Sequence, residues 1–231
     1  MTIQLYDLAS ADGTLLFSPY ASRVRMALLH KGLPFTVIPW RFSDRSATDA
    51  SGHRAVPIIR DGERWVGDSW EIALYLDHQY PTTPIVLNSP ALQAHARLVI
   101  ALCAKAVFPA AAPVALAQAW SHMDPASAAY LRETREPRFG NFETLQADET
   151  SGRAGLVAAL APFEEVLATC DYLSGEQPAF ADFVLFGVLK WADILSPYPP
   201  LETDSALARW FTRLSNANGA HAAGAAIARG R

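Results

Sequence analysis

The sequence predicts an α/β domain followed by an all-helical one. Three observations carry this. Over residues 1–80 the apolar pattern alternates between a period of two and a period of about 3.6, the stretch PTTPIVLNSP (81–90) has no period, and beyond it alanine and leucine dominate without a strand pattern.

Taken in order, IQLYDL (Ile3–Leu8) alternates as a strand. Residues 21–31 form a helix with Val24, Ala27 and Leu28 on its apolar side and Arg23, Arg25 and Lys31 assigned to an outer, solvated face, and FTVIPW (Phe35–Trp40) is a second strand. A polar loop, 41–55, leads to VPIIRDGERWVGDSW, where Asp61-Gly62 between two short apolar runs signals an antiparallel hairpin. Ser69 then opens a helix carrying Ile72, Ala73 and Leu76 that ends near Tyr80-Pro81. The order β-α-β, loop, β-β-α is that of a thioredoxin-like domain, with residues 81–90 as linker.

From residue 91 to 231 the chain reads as an all-helical domain, with helices over 91–119, about 127–136, 153–169, 181–195 and 205–215. The apolar run Val107–Trp120 contains Pro109 and Pro113 and falls short of the ~20 residues a membrane span requires, so it reads as a buried, bent helix. The tail from Asn216 onward has too few large apolar groups for a core element and reads as a surface helix or a lid.

Composition narrows the function classes. In 231 residues, 51% hydrophobic content supplies a sizeable core, and 19 basic against 23 acidic residues, with no basic run, give nucleic acid or an anionic membrane no electrostatic support. A small molecule is the better partner. The two cysteines, Cys103 and Cys170, lack the spacing of a disulfide framework, a zinc site or a dithiol centre, and with no signal-type segment behind Met1 a reducing cytoplasm is expected. His78, His95, His122 and His221 show no metal-binding spacing, and no metal is assigned.

Three short motifs can carry chemistry. In FSPY, Ser18 occupies an N-cap position and Pro19 the first helical position, which reads either as a cap alone or as a helix start that holds a small anion. In AVPII, Pro57 lies one residue into a strand; it is either an ordinary strand-opening proline or a cis proline that presents the Val56 backbone to an added extended peptide. In GDSW, Ser69 as N-cap offers free N–H groups to a carboxylate while Asp68 suits an ammonium.

In this order and spacing, the three motifs resemble the glutathione-binding domain of glutathione transferases, and the helical half resembles that family's second domain. More narrowly, SPY, HKG, VP followed by DSW, and QPAFADF look like the bacterial serine-type transferases related to lignin β-etherases. The resemblance implies glutathione as co-substrate, with Ser18 at its thiol, Val56-Pro57 pairing with its cysteinyl backbone and Asp68-Ser69 holding its γ-glutamyl end. Arg41, the Phe42 backbone, His53 and Arg54 are candidates for its glycyl carboxylate. It further implies a homodimer. Phe17, Tyr20, Trp120, Tyr130 and Trp191 are the aromatics available to line a pocket for a hydrophobic, aromatic electrophile, although core burial is the commoner fate of such residues. The expected reaction is attack by the thiolate, β-aryl ether cleavage included; a non-catalytic ligand-binding or interaction protein of the same fold is the alternative. One departure stands out: Asp182 is present, but Ala179 lacks the hydroxyl that caps the corresponding helix in many relatives, and a loss of about 1 kcal/mol is expected there.

Overall fold

Alternation along strand β1 (Ile3–Leu8) turns Ile3, Leu5 and Asp7 to one side and Tyr6 to the other. The computed structural model describes residues 2–86, 89–147, 153–196 and 200–217. In it β1 is central to a four-stranded sheet: β2 (Phe35–Trp40) runs parallel on one side, β3 (Ile58–Asp61) antiparallel on the other, and β4 (Arg64–Gly67) closes the hairpin in the order β2-β1-β3-β4. Asp61 pairs with Arg64, so the turn falls at Gly62-Glu63, one residue later than the Asp61-Gly62 signal suggested. Gly62 supplies the positive φ of 61° that the turn demands.

Helices α1 (Pro19–His30) and α2 (Ser69–Gln79) belong with the main core, while Tyr6, Trp40 and Ile58 form a small second core closed by Phe42, Val56 and Trp65. The loop after β2 contains a short 3-10 turn, Ser46–Ser51, which is pinned by a 3.0 Å bond from Trp40 Nε1 to Thr48 Oγ1.

The cations of α1 do not face solvent, contrary to the amphipathic reading. Arg25 pairs with Asp7 beneath the helix, Lys31 reaches Asp77 at 2.7 Å and the Thr83 carbonyl at 2.6 Å, and Arg23 lies 4.7 Å over the Tyr20 ring, all with little or no exposure. The reason is tertiary. One side of α1 meets the sheet and another meets the helix Phe180–Leu195 of the second half, leaving no outer face of the expected width. Asp77 also accepts the Ile85 and Val86 N–H groups, so the linker is tied down rather than loose.

In the second half, α3 (Pro90–Leu102) runs through a wide π turn, Cys103–Val107, into α4 (Phe108–Ser121). Pro109 has no N–H to give the Lys105 carbonyl and its ring crowds that position, and the chain widens there. The helix expected over 91–119 is present, and its stretch Pro90–Pro113, 24 residues, is long and apolar enough to cross a membrane by length and composition, which the shorter Val107–Trp120 run is not. In the fold its Ala96, Val99, Cys103 and Val107 join the core. Then follow α5 (Pro125–Phe139), α6 (Phe142–Ala147), α7 (Arg153–Leu167), α8 (Phe180–Leu195) and α9 (Ala206–Ala217). At six residues α6 is too short to show a period, and the sequence gives no warning of it. The tail beyond Ala217, His221 included, lies outside the described residues.

Helix α8 is buried along almost its whole length and joins the two halves into one core. Gly187 makes this possible, since a Cβ there would stand 2.3 Å from the Pro19 carbonyl oxygen. At the start of α8, Ala179 provides no capping oxygen, as expected. The carboxylate of Asp182 nevertheless accepts the Ala179, Leu173 and Ser174 N–H groups and Trp210 Nε1, so this helix start is held without the cap.

Candidate active site

Strand register brings the three motifs to one end of the sheet. Tyr6 pairs with Ile58, and Ile58 with Gly67, so the end of β1, the segment before β3 and the start of α2 are neighbours. The chain after β1 loops back, with Phe17 N–H donating to the Leu8 carbonyl at 3.0 Å and Ser18 N–H to Asp7 Oδ1 at 3.3 Å. Asp7 is fully buried and its other oxygen takes Arg25 Nη2. Burial pushes the Asp7 carboxyl up, and the Arg25 charge and the Ser18 N–H oppose that shift. Sequence reading missed Asp7, although an acid on the inward side of an alternating strand was a visible signal.

Ser18 is the N-cap of α1, and its oxygen accepts the Ala21 N–H at 3.1 Å. Its hydroxyl proton donates to no protein atom among the described residues. The side chain is buried against protein, 3% exposed, yet forms part of a cleft wall. The Val56-Pro57 bond is cis, and Ala55 and Val56 line the same cleft.

At α2 the cap is Asp68, not Ser69. Asp68 Oδ1 accepts the Trp70 and Glu71 N–H groups at 2.8 and 3.3 Å, and Ser69 becomes the first helical residue. Two adjacent acceptors compete for one capping position, and the carboxylate wins because its backbone leaves the helical region with φ 67°. It is the one non-glycine residue at positive φ among the described residues, and such conformations gather at functional sites. Asp68 is exposed and Ser69 buried. Gly67 precedes them because a Cβ there would come within 2.5 Å of the His53 ring.

The cleft between the halves has a volume of about 160 Å³, close to the ~150 Å³ that encloses a benzene ring. Phe17, Ser18, Tyr20, Phe42 and Val56 form one wall, and Phe108, Leu116, Met123, Leu131, Arg135 and Trp191 the other. Phe108 and Trp191 are stacked at 5.0 Å and 4°, and Tyr20, 41% exposed, leans on Phe108 at 6.2 Å. Behind Tyr20 lies Arg23, whose guanidinium pKa is pulled down by burial.

Not every expected residue reaches this wall. Trp120 faces Phe142 and Arg132, and Tyr130 packs against Phe42 at 4.7 Å with the rings tilted by 37°, outside the cleft lining. Arg41 spends its Nε on the Ser10 carbonyl at 3.2 Å, so it serves the loop after β1, while Arg54 is exposed. Phe108, Met123, Leu131 and Arg135 were not foreseen; they come from two helices and the turn between them, whose facing sides only the packing defines. Among the described residues no group of metal ligands assembles.

Comparison with known proteins bears on this arrangement. The family model for the glutathione S-transferase N-terminal domain matches residues 14–84, and that for the C-terminal domain matches residues 91–211. The chain belongs to the glutathione S-transferase family. A probable glutathione S-transferase, GSTU6 of Oryza sativa subsp. japonica, is 27% identical over 190 residues, 75% of this chain and 68% of that one. In fold, the transferase is similar to glutathione transferase GSTFuA3 from Phanerochaete chrysosporium (TM-score 0.81, 22% identity, covering 94% of this chain and 97% of that one). It is also similar to CsGST63524 of Ceriporiopsis subvermispora, a structure in complex with glutathione (TM-score 0.72, 24% identity, covering 96% and 95%). Glutathione is the co-substrate that membership of the family implies.

Proposed function

We propose that this transferase binds glutathione across the sheet end, with Ser18 at the thiol, and delivers the thiolate to an apolar, aromatic electrophile in the cleft. The observation that carries this reading is the state of Ser18: its oxygen is engaged as a cap while its hydroxyl proton is uncommitted at the cleft wall. A thiol has a pKa near ~8.5 and only the thiolate attacks. A hydrogen bond to that anion contributes about 1.5–3 kcal/mol, which lowers the thiol pKa by roughly one to two units. The N-terminus of α1 acts in the same direction. Ser18 is a donor here and not a base, because its hydroxyl is a far weaker acid than the thiol.

The Val56 backbone takes the cysteinyl backbone as an added strand, and Asp68 with the start of α2 takes the ammonium and carboxylate of the γ-glutamyl group. Serine cannot form a mixed disulfide, which favours substitution at carbon. The sulfur–carbon bond forms as the leaving group departs with its electron pair; when that group is a phenolate, protonated by water, the reaction is the β-aryl ether cleavage of the bacterial serine-type subgroup. Proximity in a largely apolar cleft supplies much of the rate. The same reading makes the protein a cytoplasmic homodimer, with the exposed Leu98 and Leu102 of α3 as apolar surface for association and sedimentation as the measurement.

The test is ultraviolet titration of bound glutathione together with conjugation assays on an activated aryl halide and a β-aryl ether. The wild-type chain is expected to turn over at least one electrophile and to lower the thiol pKa, and Ser18→Ala to raise it again. Binding without turnover of either electrophile would leave a ligand-binding protein instead.

A further inference from the structure

Among the described residues the cleft wall carries one charged side chain. Arg135 lies on α5 one turn beyond Leu131, and both line the cleft opposite Ser18 and Val56 together with Phe108, Leu116 and Trp191. Its neighbour Arg132 is fully employed by Glu136 at 3.6 Å and by Glu143. Arg135 makes one hydrogen bond, 3.3 Å from Nη1 to the Thr134 carbonyl, and no ion pair with any described carboxylate. Arg135 is half-buried, and the planar fork of a guanidinium matches the two oxygens of a carboxylate.

We infer that Arg135 determines specificity: the electrophile is an aromatic ring that carries a carboxylate on the side away from the reacting carbon. This rests on the reading of the cleft as the electrophile site. Thiolate attack forms the sulfur–carbon bond, the leaving group takes its electron pair, the thiol proton has already passed to solvent, and Arg135 holds the far carboxylate throughout. An uncharged ring of the same shape would fill the apolar wall and leave the guanidinium without its partner.

The experiment compares 4-chloro-3-nitrobenzoate with the near-isosteric 4-chloro-3-nitrobenzamide, from which glutathione displaces chloride. The readout is the ratio of their kcat/KM values, each divided by its uncatalysed rate, so that any loss of folded protein cancels. Wild type is expected to prefer the acid about tenfold or more, the size of one charge-assisted hydrogen bond. Arg135→Met should bring the ratio to near one, and Arg135→Lys should keep part of the preference. A wild-type ratio near one, or a ratio that Arg135→Met leaves unchanged, would overturn the assignment. Calorimetry with the two preformed glutathione conjugates decides the same point without catalysis: the acid conjugate should bind about tenfold tighter than the amide in wild type and equally in Arg135→Met. Turnover of neither electrophile would therefore remove the transfer reading while the conjugates still judge Arg135. If Arg135→Met weakens glutathione itself as much as the acid conjugate, the guanidinium meets the tripeptide and the inference fails.

Discussion

Each half of the molecule holds a completely buried carboxylate at a helix start, Asp7 and Asp182, and the two are compensated in opposite ways. Asp7, under the start of α1, is answered by a full charge on Arg25 and by the Ser18 N–H. Asp182, at the start of α8, is answered by neutral donors only: Leu173 N–H at 2.8 Å and Trp210 Nε1 at 2.9 Å on one oxygen, Ser174 and Ala179 N–H at 3.2 Å on the other. Burial pushes both carboxyl groups up, and these partners oppose the shift. The contrast separates two uses of a buried acid. An ion pair fixes one point, here the loop that presents Ser18, whereas four dipolar donors stitch together a loop and two helices.

The sharpest way to break this contrast is to neutralise each acid isosterically. Asp7→Asn leaves the Arg25 cation buried without a partner and is expected to cost about 3–5 kcal/mol in denaturant unfolding, with glutathione turnover falling further than the stability loss explains. Asp182→Asn keeps one acceptor oxygen but turns an NH₂ group toward two N–H donors, for about 2 kcal/mol. Equal losses, or a reversed order, would mean that Arg25 has compensation elsewhere. Gly187→Ala probes the seam between the halves; the added methyl meets the Pro19 carbonyl and should cost about 1–3 kcal/mol, read by the same unfolding experiment. Ser18→Ala removes only a cap, about 1 kcal/mol by thermal unfolding, so a large loss of turnover at near-normal stability would separate its two roles.

The smallest effect belongs to Asp124, which links α5 to the loop after β2 through Ser43 Oγ at 3.0 Å. Burial raises its pKa, but hydrogen bonds from Ser127 and Ser43 outweigh this and the net position is below the usual 3.8. Because the folded pKa is the lower one, the stabilisation is complete above the unfolded value and is lost as pH falls through the folded value. Unfolding followed below about pH 4 should show a shallow decline attributable to Asp124, and Ser43→Ala should flatten it.

Periodicity made the strands of the first domain and most helices of the second legible, because each depends on its own spacing. What the pattern could not give was which side of an element meets which neighbour. The arginines of α1 look like a solvated face until the sheet and α8 both claim it, and Trp120 and Tyr130 lie on the same helices as Leu116 and Leu131 but turn away from the cleft. Asp68 and Ser69 differ by one position, a distinction that depends on a backbone angle no composition reveals. Ser18 and Val56 were readable because a helix start and a proline mark themselves locally, and the register of β1, β3 and β4 then places them side by side.

The bare backbone at position 187 has a bearing on ancestry. Its contact with the Pro19 carbonyl joins residues far apart in the chain across the seam. A recombination event that grafted the first eighty residues onto a foreign helical partner would carry the penalty of an added methyl there unless the partner also lacked a side chain at the matching place. Substitution on either side of the seam is therefore constrained by the backbone on the other.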